Sequence, residues 1–109
     1  GDFRLVIKII DSPGDLKELG DQFRNVFISK GISLIGTIQK NKPMVMCAVT
    51  DDLTKKINAG NIVKEVGEIM GGGGGGKSHI ATAGGNDETL LKVALEHGEK
   101  LIKSILSVN

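Results

Sequence analysis

The stretch "GGGGGGKSHIATAGG", Gly71 to Gly85, decides how the rest of this chain is read. Gly71, Gly76, Lys77 and Ser78 satisfy the G-x-x-x-x-G-K-[ST] pattern of a phosphate-cradling loop. Such a loop works when a strand delivers the glycines and a helix starts at the Lys-Ser, because that helix's N-terminal amides hold the phosphates. Here the order is wrong on both sides. The apolar positions Ile62, Val63, Val66, Ile69 and Met70 recur at helical spacing just before the glycines. After Ser78 comes "HIATAGG", which runs into two more glycines instead of a helix. A nucleotide-hydrolysing loop is therefore rejected on context. Two readings remain: a flexible tract, or a backbone surface on which glycine permits close approach by another molecule.

Working outward, "FRLVIKII" (Phe3 to Ile10) is predicted to be a strand from its apolar and β-branched content. "DSPGD" then starts a helix, with Ser12 as N-cap, Pro13 at the first helical position and Asp15 in the first turn. Leu16, Leu19, Phe23, Val26 and Phe27 form its buried stripe, and Gly31 after Lys30 is its stop signal. "ISLIGTI" (Ile32 to Ile38) and "MVMCAVT" (Met44 to Thr50) flank the polar turn "QKNKP" and are predicted to pair as a hairpin. The second run is continuously apolar, as befits a central strand covered on both faces. Thr50, Asp51 and Asp52 start a short helix, and Asn61 caps the helix that leads to the glycines. Ile80 to Ala83 reads as an edge strand, and Asn86 caps a closing helix with Leu90, Leu91, Ala94, Leu95, Leu101, Ile102 and Ile105 on its apolar side. The fold class is α/β (α+β): a small mixed β-sheet with helices packed on it, and a glycine-rich loop before the C-terminal helix.

The 109 residues make one domain, read as 1–109. Fourteen Lys+Arg oppose 13 Asp+Glu, for a net charge of +1, so any nucleic-acid binding must come from charges sorted onto one face. One cysteine, Cys47, leaves no intramolecular disulfide and no multi-cysteine metal site. No apolar run is long enough to span a membrane as a helix. The chain opens on Gly1 and enters a strand almost at once, which reads as a piece of a longer protein.

The glycine segment with its surroundings resembles the signature of the C-terminal domain of alanyl-tRNA synthetases, approximately GG-x-GGG-basic-x-x-apolar-A-x-A-GG. The resemblance runs upstream through "AVTDDLTKKINAGNIVKEVGEIMGG", where Asp52, Leu53, Thr54, Ala59 and Gly60 fall into place, and downstream into the closing helix. That family often carries a basic residue where this chain has Gly73, and prefers Arg where it has Lys77. The same fold serves as the DHH-associated domain of DHH phosphoesterases. Their motif is shorter and usually has His where Lys77 stands.

The resemblance implies a non-catalytic module that binds tRNA(Ala) at the elbow and helps aminoacylation and editing domains act on one tRNA. It implies a cytoplasmic parent alanine–tRNA ligase whose other domains use ATP, Mg and Zn. This fragment, expected to be monomeric, then has no catalytic residue, metal or cofactor of its own. The tRNA-binding residues it points to are Gly73, Gly74, Gly75, Gly76, Lys77, Ser78, His79, Ala81, Gly84 and Gly85. The alternatives are the substrate-binding half of a DHH phosphoesterase and a protein-interaction or dimerisation domain. Glycine amides can donate to phosphate and ribose oxygens. With only three aromatics, Phe3, Phe23 and Phe27, base stacking falls to the glycine backbone or Ile80. Lys40, Lys42, Lys55 and Lys56 are further candidates for phosphate contacts, whereas Cys47 reads as a buried, inert thiol and His97 as solvated.

Overall fold

The computed structural model describes residues 3–11 and 14–107. Five strands form one mixed sheet in the order β1-β2-β3-β5-β4. They are β1 (Arg4–Ile9), β2 (Gly31–Gln39), β3 (Lys42–Val49), β4 (Gly73–Gly76) and β5 (Ile80–Gly84). β1 lies parallel to β2, and every other pairing is antiparallel. The predicted α+β class is what the chain adopts.

The β2–β3 hairpin turns on Lys40 and Asn41, both in the left-handed region at φ 52° and 68°. Two successive left-handed residues make the mirror-image turn whose twist suits a tight hairpin. β3 is the central strand, with Val45, Met46, Cys47, Ala48 and Val49 all fully buried. Its alternate side chains feed two cores. Val45, Cys47 and Val49 pack with Ile32 and Leu34 toward the helices α2 (Ala59–Ile69) and α3 (Leu91–Ser107). Met46 and Ala48 pack with Leu16, Ile35 and Ile80 beneath α1 (Leu16–Val26) on the opposite face. Burial pushes the Cys47 thiol up to about 12, so it is an inert core group, as its sequence context suggests.

Several boundaries differ from the sequence expectation. α1 is capped by Asp15, whose carboxylate accepts from the amides of Lys17 and Glu18. The predicted cap Ser12 and Pro13 lie outside the described residues. α1 stops at Val26, where Phe27 turns extended and its amide donates to Phe23 O. Val26 is 76% exposed and leaves the predicted stripe. Gly31 is therefore no helix stop; it opens β2 close against Phe27. Ahead of it, Lys30 takes φ 56°, and its amide donates to Asp52. Asp51–Leu53 form only a single 3-10 turn. Asn58, not Asn61, caps α2, accepting from the Asn61 amide at 3.1 Å. Asp87, not Asn86, caps the 3-10 turn that leads into α3. In each case a neighbouring Asn or Asp offered the same side-chain oxygen, and the chain's path chose between them. His97 is not simply solvated, for its ring lies 3.3 Å from Glu65 and links α3 to α2.

Candidate nucleic-acid interface

The glycine segment is a strand, not a loop. Gly73–Gly76 form the outermost strand of the sheet, pairing with β5 from Gly73↔Gly84 to Gly76↔Ala81. β5, expected at the edge, instead lies inside, because β3 binds its other side. Ser78 and His79 close the β4–β5 hairpin, with Lys77 N donating to Ile80 O. That turn is fastened to the body of the protein: Ser78 O accepts from Ala59 N, and His79 O from Val49 N. Asn58 caps the helix that begins at Ala59, its side chain accepting from Asn61 N.

The ladder determines which backbone groups face outward. Since Lys77 bonds to Ile80, the antiparallel alternation puts Gly75 and Gly73 in the bonded pairs. Gly74 and Gly76 then direct their N–H groups away from β5, the Gly76 carbonyl lies against Gly60 in the first turn of α2, and all four glycines are exposed. Side chains could not occupy these positions equally. A Cβ on Gly74 would lie 2.3 Å from Ala83 Cβ, and one on Gly72 would lie 2.2 Å from Gly84 O. At Gly73 and Gly75 it would meet nothing within 4 Å. Gly72, Gly74 and Gly76 are thus required by packing, whereas Gly73 and Gly75 are not. Gly73, where the resembling family often carries a basic residue, has room for a side chain.

Beneath β4, helix α2 brings its own glycine: a Cβ on Gly67 would come within 3.1 Å of both Gly73 and Ala83. Ala81 and Ala83 are small and buried because they fill this narrow space under β5. Of the sequence-derived site residues, Gly73–Gly76 and Lys77 are exposed at the surface, Ser78, His79 and Gly84 are half-buried, and Ala81 and Gly85 are buried. Ala81 and Gly85 are held in by packing, a Cβ on Gly85 meeting Met70 at 2.3 Å, and each still lines the edge of a surface hollow. Ile80, at 4% exposure, packs under α1 and offers no stacking surface.

The sequence alone did not single out Lys17. It joins Lys77, Gly75, Gly76 and Thr82 in lining a depression of about 210 Å³ at one end of β4, on the face that α1 only partly covers. No carboxylate lines this depression, and neither lysine has an ion-pair partner among the described residues. Free ammonium groups beside the unpaired Gly76 amide make a place for an anionic oxygen. Lys55 and Lys56 are exposed beyond the 3-10 turn, beside a separate hollow lined by Asn58 and Asn61. They do not line the depression beside the glycine strand. Among the described residues, no group of three or more His, Cys, Asp or Glu could hold a metal, and no helix is long and apolar enough to cross a membrane.

A mixed sheet with a glycine edge strand resting on a glycine-bearing helix defines the class: an α+β domain that leaves one sheet edge as bare main chain. The chain belongs to the DHHA1 domain family, which it matches over residues 3–104. It is 39% identical over 109 residues to an alanine–tRNA ligase of Natranaerobius thermophilus, with 97% of this chain covered but only 12% of that ligase. Its fold is similar to the C-Ala domain from Aquifex aeolicus alanyl-tRNA synthetase, with a TM-score of 0.80, 29% identity and coverage of 99% of this chain and 95% of that one. It also shares its fold with the DHH domain of a member of the s1p family of ribosomal proteins, at a TM-score of 0.65 and 19% identity, covering 89% of this chain and 25% of that one.

Proposed function

We propose that this domain is the non-catalytic tRNA-binding module of a longer, cytoplasmic alanine–tRNA ligase. It contacts the tRNA elbow and so helps the ligase's aminoacylation and editing domains act on one tRNA. ATP, Mg and Zn belong to those other domains. The observation that carries the reading is the outward-facing amides of Gly74 and Gly76, with Lys17 and Lys77 lining a depression at the end of the strand that no carboxylate lines. Backbone donors suit recognition of RNA by shape and by its 2′-hydroxyl and phosphate oxygens, without reading base edges. The likeness to the C-Ala domain, at 29% identity, supports the tRNA reading over a DHH phosphoesterase half, for the DHH-domain neighbour shares only the fold, at 19%.

With only a few phosphates neutralised, affinity for tRNA lies near the non-specific range of about 10⁻⁴ to 10⁻⁶ M. Tethering to the rest of the ligase raises the effective concentration enough to make that contact useful. The test is a titration of the monomeric domain with folded tRNA and with an unstructured RNA of equal length. Folded tRNA should bind more tightly, and Gly75→Val should weaken it strongly while the circular dichroism spectrum stays unchanged, because the added side chain meets only open space. Equal binding of the two RNAs would remove the elbow from the proposal.

A further inference from the structure

The opposite end of β4 carries a second hollow. It has a volume of about 540 Å³ and lies where the β2–β3 turn meets the junctions of the glycine strand. Lys40 and Lys42 come from the turn, Gly84 and Gly85 from the end of β5, and Asn86 from the segment behind it. No Asp or Glu lines this hollow, and neither lysine is ion-paired among the described residues. Asn86 directs one amide hydrogen to Gly71 O at 2.9 Å. A primary amide has two such hydrogens, so one donor remains. Two cations and a fixed amide without a counter-charge are the components of a phosphate contact.

The hollow also opens on the same face as the Lys17–Lys77 depression. Ile80, Thr82 and Gly84 alternate onto one side of β5, and Ile80 and Met44 belong to the core under α1. Thr82 and Ile80 line the first depression, while Gly84 and Met44 line the second. The five residues of β5 separate the two, about 13 Å at the rise of a strand residue. Only a ligand with several phosphates along its length reaches both.

We infer that the Lys40–Lys42–Asn86 hollow is a second anchoring subsite for the phosphodiester backbone of the same RNA that lies on the glycine strand. The inference rests on the RNA-binding reading and adds to it a direction: the strand of RNA runs along β4 from Lys77 toward the β2–β3 turn. A polynucleotide held at two points cannot pivot about the glycines, so contacts to its backbone fix its orientation.

The test compares salt dependence. Lys40→Asn and Lys42→Gln together remove both charges, and Asn suits the left-handed backbone at position 40. The double variant should bind tRNA roughly tenfold more weakly at low salt, and the slope of log affinity against log salt should fall by about 1 to 2. A control pair on α3, Lys92→Gln with Lys100→Gln, should leave the slope as it is. If the wild-type domain binds no tRNA even at low salt, the RNA-binding reading fails and this subsite with it. If the wild type binds and the double variant keeps the full slope, the subsite is overturned while the glycine strand stands. Should the control pair lower the slope equally, the attraction is diffuse and the subsite is likewise overturned.

Discussion

The two hairpins of this sheet are built by opposite means. β2–β3 is held by side chains: Ile32, Leu34, Val45, Met46 and Val49 are almost or wholly shielded from water on one face or the other. β4–β5 is held by main chain, with an outer strand that has no side chain at all and a turn fastened through the carbonyls of Ser78 and His79. The first hairpin is therefore damaged by taking atoms away, the second by adding them. The sheet gives its centre to stability and leaves one edge as bare backbone, which is where the proposed ligand lies.

The contrast can be broken most severely in the buried hairpin. Leu34 is fully buried against Gly98 and Val66, so Leu34→Ala should cost about 3 to 4 kcal/mol, measured by denaturant unfolding. Affinity for RNA per folded molecule should be unchanged. In the glycine hairpin, Gly74→Ala should destabilise by about 2 kcal/mol, because its Cβ lands on Ala83 and on Thr82 O. Gly75→Ala should be neutral or stabilise by up to about 1 kcal/mol, since the unfolded chain loses freedom and the folded one meets no clash. Equal losses at positions 74 and 75 would refute the alternation of required and unrequired glycines.

A gentler change sharpens the comparison. Gly73→Lys should fold normally, bind tRNA a few-fold more tightly and steepen the salt slope by about 1, as one added phosphate contact does. Fold or affinity lost in this variant would mean that position 73 must be small for contact with the ligand.

The smallest effect is expected at the open end of β2–β3. The Thr50 hydroxyl at 2.6 Å, with the Lys30 amide, holds the Asp52 carboxyl below its usual value of 3.8. A lowered carboxylate stabilises the fold above its unfolded-state value, and the contribution disappears as pH falls through the lowered folded value. Asp52→Asn should thus cost about 0.5 to 1 kcal/mol at neutral pH, discounted for an exposed carboxylate, and nothing at acid extremes. A pH-independent deficit in thermal melts would show that the charge is irrelevant.

Much of this architecture is legible in the sequence. Apolar periodicity gives away α2 and α3, and the unbroken run Met44–Thr50 announces a central strand. The glycine strand is illegible by the same logic. Periodicity is a property of side chains, and β4 has none, so nothing distinguishes it from a flexible tract until β5 is seen to need a partner on its outer side. The resemblance to a known signature pointed to this segment but could not separate its exposed positions from its buried ones. Ala81 and Gly85 are buried where Gly73–Gly76 and Lys77 are exposed, a difference the motif does not spell out. Lys17 was hidden for another reason: it lies far from the motif in the chain and reaches it only through the packing of α1 on the sheet.

A strand of identical residues also stores its information in an unusual form. Gly71 turns the chain at φ 82° and Lys77 closes the ladder, so the tract between them is defined by where it starts and stops. No residue within it marks its own place. Losing one glycine would not spell a different surface; it would shorten the ruler, and the outward amides would trade places with the inward ones. Such a segment is read by counting, so insertions and deletions act on it where substitutions act on an ordinary binding site.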